Sequence, residues 1–132
     1  MRLGAHGFAV TSDASVMSQL AGRFNLIIDA VSAKHDLNMY AQTLATDGTM
    51  VLVGVPPEPA PVAAFNLIGG RRSLAGSLIG GIKETQEMLD YCAQHDIGAD
   101  VEVIPIQKIN EAYERMIRGD VRYRFVIDMK SL

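Results

Sequence analysis

Tryptophan is absent from this chain, cysteine occurs once, and aromatic residues make up only 6% of the whole. Each scarcity excludes something. A lone Cys92 leaves no internal disulfide and no multi-cysteine zinc site within these residues. With so few aromatics, Val, Ile, Leu and Met must fill the core. There is no basic run and the formal charge is −3, which makes nucleic acid and anionic membrane poor partners. No apolar run approaches the roughly 20 residues needed to span a bilayer. The opening MRLGAHGFAV lacks the charged and apolar blocks of a signal peptide, so the expected setting is cytoplasmic. What is present is 48% apolar against 20% charged residues, the balance of a chain with a real core. A length of 132 residues fits one domain or pieces of two.

Phe24 to Pro56 organises the rest. FNLIIDAVS, AKHDLNMYAQTLATDG and TMVLVGVP read in turn as strand, helix and strand. The apolar runs Leu26–Val31 and Thr49–Val55 are nearly continuous, so each is expected to be covered on both faces, as parallel strands are. Between them, residues 34–46 carry helical spacing, with Leu37, Tyr40, Ala41 and Leu44 on one face. This connection is long enough for a right-handed crossover. Asp47–Gly48 is the expected turn into the second strand. Ligands of open α/β sheets collect beyond the carboxyl ends of the strands, which singles out Ala30–Val31–Ser32 and Gly54–Val55–Pro56.

Upstream, Gly7–Thr11 reads as a short strand. Ser12 or Asp13 can cap the helix that follows, Val16, Met17, Leu20 and Ala21 form its stripe, and Gly22 suits its stop. Downstream, four prolines between Pro56 and Pro61 forbid regular structure and mark an exposed loop. A helix over 63–72, weakened by Gly69–Gly70, precedes a strand at Ser73–Ile79. The alternation predicts a doubly wound parallel sheet. After a boundary near Gly80–Lys83 the pattern changes. A helix over 83–95 is followed by a strand at Val101–Ile106, placed at an edge by Pro105. The amphipathic helix Ile109–Arg118 ends at Gly119, and a strand covers Tyr123–Met129.

Few motifs carry chemistry on spacing alone. Gly76, Gly80 and Gly81 sit at a strand end, where a ligand can approach the backbone, yet a plain turn explains them as well. They do not fit the spacing of the dinucleotide fingerprint GxGxxG. Asp29 at a strand end can bind a ribose, and it can equally cap the next turn. Cys92 and His95 could face one metal ion, but two ligands do not make a zinc site, and neither His6 nor His35 has the spacing to complete one. Arg118, Arg122 and Arg124 read as solvated charges or, more sharply, as a phosphate clamp.

The runs NLIGGRRSLAGSLIGGIKETQEMLDYCAQHDI and INEAYERMIRGDVRYRFVIDM, with FNLIIDAVSAKHDLNMYAQTLATDGTMVLVGVP, closely resemble the C-terminal part of zinc-dependent medium-chain alcohol dehydrogenases. The nearest branch is that of cinnamyl alcohol dehydrogenases and bacterial NADP-dependent aldehyde reductases. The resemblance implies an α/β fold. Residues 1–81 would be a partial dinucleotide-binding domain, an incomplete Rossmann-type sheet of strands 3-4-5-6. Residues 82–132 would return to a catalytic domain. It implies cofactor contacts from Asp29, Ala30 and Val31, from Val53, Gly54 and Val55, from Ser77, Leu78 and Ile79, and from Arg124 to the pyrophosphate.

The cofactor implied is NADP(H), with NAD also compatible. The zinc ligands, proton relay and glycine turn of the family have no counterpart in these residues. The implied chemistry of the family is hydride transfer to an aldehyde or from an alcohol, to which this chain would add part of the cofactor bed and be inactive alone. The family also pairs Ser73–Ile79 with its twin in a homodimer. The competing reading is a free-standing α/β nucleotide-binding or dimerisation module without activity. A receiver-type domain fails for want of its acidic cluster and strand-end lysine. With strands 1 and 2 missing, Gly7–Thr11 is expected to slide in beside Leu26–Val31, giving the order Gly7–Thr11, Leu26–Val31, Thr49–Val55, Ser73–Ile79.

Overall fold

The computed structural model describes residues 4–132. The chain divides into two compact units, Met1–Ile79 and Gly80–Leu132.

The first unit is a fragment of parallel α/β structure. Asp13 caps helix α1 (Ala14–Gln19), its carboxylate accepting from the amides of Ser15 and Val16. Gly22 then turns the chain at φ +69°, a backbone state that glycine adopts without steric cost. Strand β1 (Phe24–Asp29) leads through an irregular loop to helix α2 (Leu37–Ala41), capped by Asp36. Strand β2 (Leu44–Leu52), helix α3 (Ala64–Ile68) and strand β3 (Ser73–Gly76) follow. The sheet order is β1-β2-β3, all parallel, with Ile27 opposite Met50 and Val51 opposite Ala75.

The core lies on one side of this sheet. Leu37, Ala41, Leu44 and Met50 are buried together, with Ile27, Tyr40, Leu52 and Leu74 packed against them. Full burial of a side chain such as Leu44 or Met50 contributes about 1.5–3 kcal/mol. The other side of β1 is open, Leu26 being 58% and Ile28 65% exposed. The expectation of cover on both faces is therefore met on one face only. The apolar run is that of a doubly buried strand, but within these residues partners for one face alone are supplied.

Several boundaries differ from expectation for local reasons. Helix α2 stops at Ala41 rather than reaching 46, because Thr43 turns its hydroxyl back onto the carbonyl of Tyr40 and Leu44 already pairs with Phe24 in the sheet. Asp47–Gly48 is not a turn before the strand but a bulge inside it. Between the paired positions Phe24/Leu44 and Leu26/Thr49, β2 carries four residues where β1 carries one. Asp47 sits there at φ +62°, and a side chain on Gly48 would lie 2.9 Å from the carbonyl oxygen of Phe24. Helix α3 is cut short at Gly69–Gly70.

The expected strand Gly7–Thr11 does not form, and no ladder joins it to β1. The four-stranded order is corrected to three strands, with β1 at an edge. A parallel crossover takes about a dozen residues or more. Ser12–Arg23 is at that lower limit and spends six residues on α1. Ala9 and Thr11 of this segment instead border an apolar hollow with Met17, Leu20 and Leu26.

The second unit is a βαβ unit with an added helix. Helix α4 (Ile82–Gln94) precedes strand β4 (Val101–Pro105), helix α5 (Ile109–Ile117) and strand β5 (Arg124–Asp128). β4 and β5 pair in parallel, Ile104 opposite Ile127. Gly119 ends α5 at φ +71°. Arg115 ties the unit together. Its guanidinium grips the Glu102 carboxylate with two nitrogens, reaches Asp120 at 3.1 Å, and lies 4.9 Å over the Phe125 ring. Those carboxylates raise the Arg115 pKa further, and the hydrogen bonds from Arg115 in turn hold Glu102 below the usual carboxylate range.

Candidate functional site

The carboxyl ends of β1, β2 and β3 stop level with one another, Asp29 opposite Leu52 and Leu52 opposite Gly76, because side chain and main chain of Asp29 intervene. Its Oδ1 accepts the Val31 amide at 3.0 Å, which turns β1 off before Val31. Its main-chain oxygen accepts the amides of Val53 and Gly54 at 2.9 and 3.0 Å, which pulls β2 away after Leu52. β3, losing its partner, keeps one further bond, from the Ser77 amide to the Leu52 oxygen at 3.1 Å. The strands accordingly end at Asp29, Leu52 and Gly76 rather than at Val31, Val55 and Ile79.

The two loops beyond β1 and β2 touch at Gly54. A β-carbon there would stand 2.5 Å from the Val31 oxygen and 2.8 Å from the Ala30 carbonyl carbon. Only glycine permits that approach. The Val55 amide lies 3.4 Å from the Ser32 hydroxyl, a long bond across the same junction. Below it, Asp29, Leu37, Leu52, Gly54, Glu58 and Leu74 line a hollow of about 260 Å³. Asn38 of α2 pins the proline loop over this hollow. Its amide nitrogen donates to the Pro61 oxygen at 3.0 Å, and its amide oxygen accepts from the Ala63 amide at 2.7 Å.

Asp29, Ala30, Val31, Val53, Gly54, Val55 and Ser77 are thus gathered at one end of the sheet. Leu78 and Ile79 follow directly and are 86% and 91% exposed. Arg124 lies in the second unit. It opens β5 and borders an apolar hollow of about 270 Å³ with Tyr113, Met116, Tyr123 and Phe125.

Sequence reasoning passed over His35. Its Nε2 lies 2.7 Å from Oδ2 of Asp29 and its Nδ1 2.7 Å from the Ala33 oxygen. The two side chains are 13% and 10% exposed. The Tyr40 ring meets the imidazole edge-on at 5.7 Å. Both ring nitrogens face acceptors, so both bonds exist only when the ring is doubly protonated. The Ala33 carbonyl and then the Asp29 carboxylate raise the His35 pKa above the ordinary imidazole value. The two residues meet only through the loop between β1 and α2, so no helix or strand pattern could have flagged the pair.

Cys92 sits among packing partners rather than further ligand side chains. Its thiol lies 3.7 Å from the Met88 sulfur, and His95 packs its ring against Tyr91. Among the described residues no group of three or more His, Cys, Asp or Glu could hold a metal ion. These residues do not fit a zinc ion. No helix among them is long and apolar enough to cross a membrane.

A site beyond the carboxyl ends of parallel strands, flanked by helices, defines the α/β class in which nucleotides are held at strand termini. The sequence profile described as zinc-binding dehydrogenase matches residues 1–94, and the chain belongs to that family. It is 53% identical over its whole length to NADP-dependent alcohol dehydrogenase C 1 of Mycolicibacterium smegmatis. It is 52% identical over 98% of its length to aldehyde reductase YahK of Escherichia coli. The chain spans 38% of the length of each. Among solved structures, a cinnamyl alcohol dehydrogenase of Sorghum bicolor superposes with a TM-score of 0.91 at 42% identity, over 96% of this chain and 36% of that one. The CAD of Helicobacter pylori complexed with NADP(H) matches at 0.74 and 41%, over 86% and 34%.

Proposed function

We propose that these residues form part of the cofactor bed of an NADP(H)-dependent alcohol dehydrogenase or aldehyde reductase. The observation that carries this is the meeting of the β1 and β2 ends at Asp29 and Gly54, beside the end of β3, in a chain about half identical to NADP-dependent dehydrogenases. Residues 1–81 serve as a partial dinucleotide-binding domain and 82–132 as the segment returning to a catalytic domain. Val53–Val55 and Ser77–Ile79 offer exposed backbone to the nicotinamide half. Each Asp29 oxygen keeps a free lone pair for a ribose hydroxyl beside the partner it already has. Arg124 serves the pyrophosphate. The bound cofactor supplies hydride chemistry with an aldehyde or alcohol, in the cytoplasm. The outer edge of β3, with Ser73–Ile79, serves a homodimer contact.

The pyrophosphate of such a cofactor rests on a glycine turn and a helix N-terminus. No GxGxxG occurs in these 132 residues. Titration of NADPH into the ¹⁵N-labelled chain is therefore expected to shift the amides of Val53–Val55 and Ser77–Ile79 with a Kd weaker than about 1 mM. Aldehydes and zinc added to the same sample should leave NADPH unoxidised. Micromolar affinity, shifts confined to other residues, or turnover above a metal-only control would overturn the reading.

A further inference from the structure

We propose that His35 is a positioning residue. As an imidazolium it clamps Asp29 to the loop that follows β1 and so fixes the strand-end site in a pH-dependent way. The inference rests on the cofactor-bed reading for its purpose, but on geometry for its mechanism.

The contacts run in sequence. His35 holds Oδ2 of Asp29 and, with its other nitrogen, the Ala33 oxygen, so the ring bridges the end of β1 to the loop four residues on. Oδ1 of the same carboxylate holds the Val31 amide. The Val31 oxygen is the atom against which Gly54 closes, and the Asp29 oxygen fixes the amides of Val53 and Gly54. Rotation of the Asp29 carboxylate would release Val31, and with it the contact between the two loops. The ring cannot swing freely, because Tyr40 of α2 packs on its edge. Asp36, which caps α2, adds a second negative charge nearby. The neighbouring Lys34 is engaged with Glu58 at 2.7 Å and leaves the carboxylate to His35.

Protonation decides whether the clamp holds. The imidazolium donates from both nitrogens, and its bond to a carboxylate is of the stronger, charge-assisted kind. The neutral ring has one proton for two acceptors, so one bond turns into a lone-pair repulsion. The pKa of the folded state is raised. Its contribution is therefore complete below the ordinary imidazole value and is lost as pH rises through the raised one. The site should be tightest in mildly acidic to neutral solution and loosen in mild alkali.

The experiment is amide hydrogen exchange at Val31, Val53 and Gly54 on the full chain, corrected for intrinsic pH dependence, in wild type and in His35→Gln, with and without NADPH. Gln keeps one donor and cannot titrate. Wild type should lose roughly tenfold protection at these amides between pH 6 and pH 9, the order expected for one charge-assisted bond. The variant should show no such change. Titration of the His35 ring protons in wild type alone provides a second measurement should the variant not fold. Two ring N–H signals and a midpoint above the ordinary imidazole value are expected. An unchanged pH response in His35→Gln, a flat response in wild type, or a neutral ring at pH 6 would overturn the clamp. If the pH response stands and NADPH shifts none of these amides at either pH, the clamp is supported and the cofactor-bed reading falls.

Discussion

Gly54 shows how one missing side chain can shape a site. Two loops approach there to a distance that no β-carbon tolerates, and the atoms in the way are backbone, which cannot rotate aside. Gly54→Ala is expected to force the Val31 carbonyl back and destabilise the first unit by about 1–3 kcal/mol, the cost of overpacking. A lower urea midpoint, with accelerated exchange at Val31 and Val53, would show it. An unchanged midpoint would mean that the loops part without cost. Residue-level signals were legible where their mechanism is local. Asp13 caps, and Gly22 and Gly119 stop helices, through bonds within a few positions. The Asp29–His35 pair was illegible because its six-residue separation closes only through a loop whose path the Val31 amide and Ala33 carbonyl dictate.

At the scale of elements, α5 and the two strands beside it were readable because an unbroken apolar stripe needs no distant partner to be recognised. Gly7–Thr11 carries an equally good strand pattern and forms none, since a strand exists only with a neighbour and pairing is not encoded locally. The second unit offers a test of what holds β4 to α5. Glu102 is kept below the usual carboxylate range chiefly by its hydrogen bonds to Arg115. Its depressed folded pKa gives a contribution that is present above the ordinary Glu value and is lost as pH falls through the lowered one. Arg115→Lys cannot reproduce the two-pronged grip. Wild type should lose unit-two stability on acidification below about pH 4.5, seen as chemical-shift loss at β4 and β5, whereas the lysine variant should start lower and change less. Equal slopes in the two proteins would remove Arg115 from that role.

For the whole molecule, the alternation of strand and helix was enough to give the α/β class, whereas the neighbours β1-β2-β3 were expected from the Rossmann-type resemblance, which also placed Gly7–Thr11 in the sheet, where it does not lie. The extent of cover was not legible, because apolar strands announce that they will be buried, not by what. Association is the corresponding prediction. β3 pairs on one side only, and Leu78 just beyond it projects at 86% exposure. Leu74 packs against the core and is a poor site for a test, whereas Leu78 is free of it. Leu78→Glu should move the chain to a smaller sedimentation coefficient at concentrations where wild type is dimeric. A wild type that sediments as monomer at high concentration would count against a contact along Ser73–Ile79.

The open face of β1 also sets the thermal behaviour of the chain. Phe24, Leu26 and Ile28 are already in water in the folded state, and the fully buried apolar side chains among the described residues are few. Unfolding therefore transfers less hydrocarbon to solvent than it does for an average domain. The heat-capacity increment should fall below the usual figure of about 12–15 cal/mol/K per residue. With a smaller increment the stability curve flattens, so warming and cooling both change the folded fraction gradually. A calorimetric trace of this chain should be broad and low, and its urea transition correspondingly shallow.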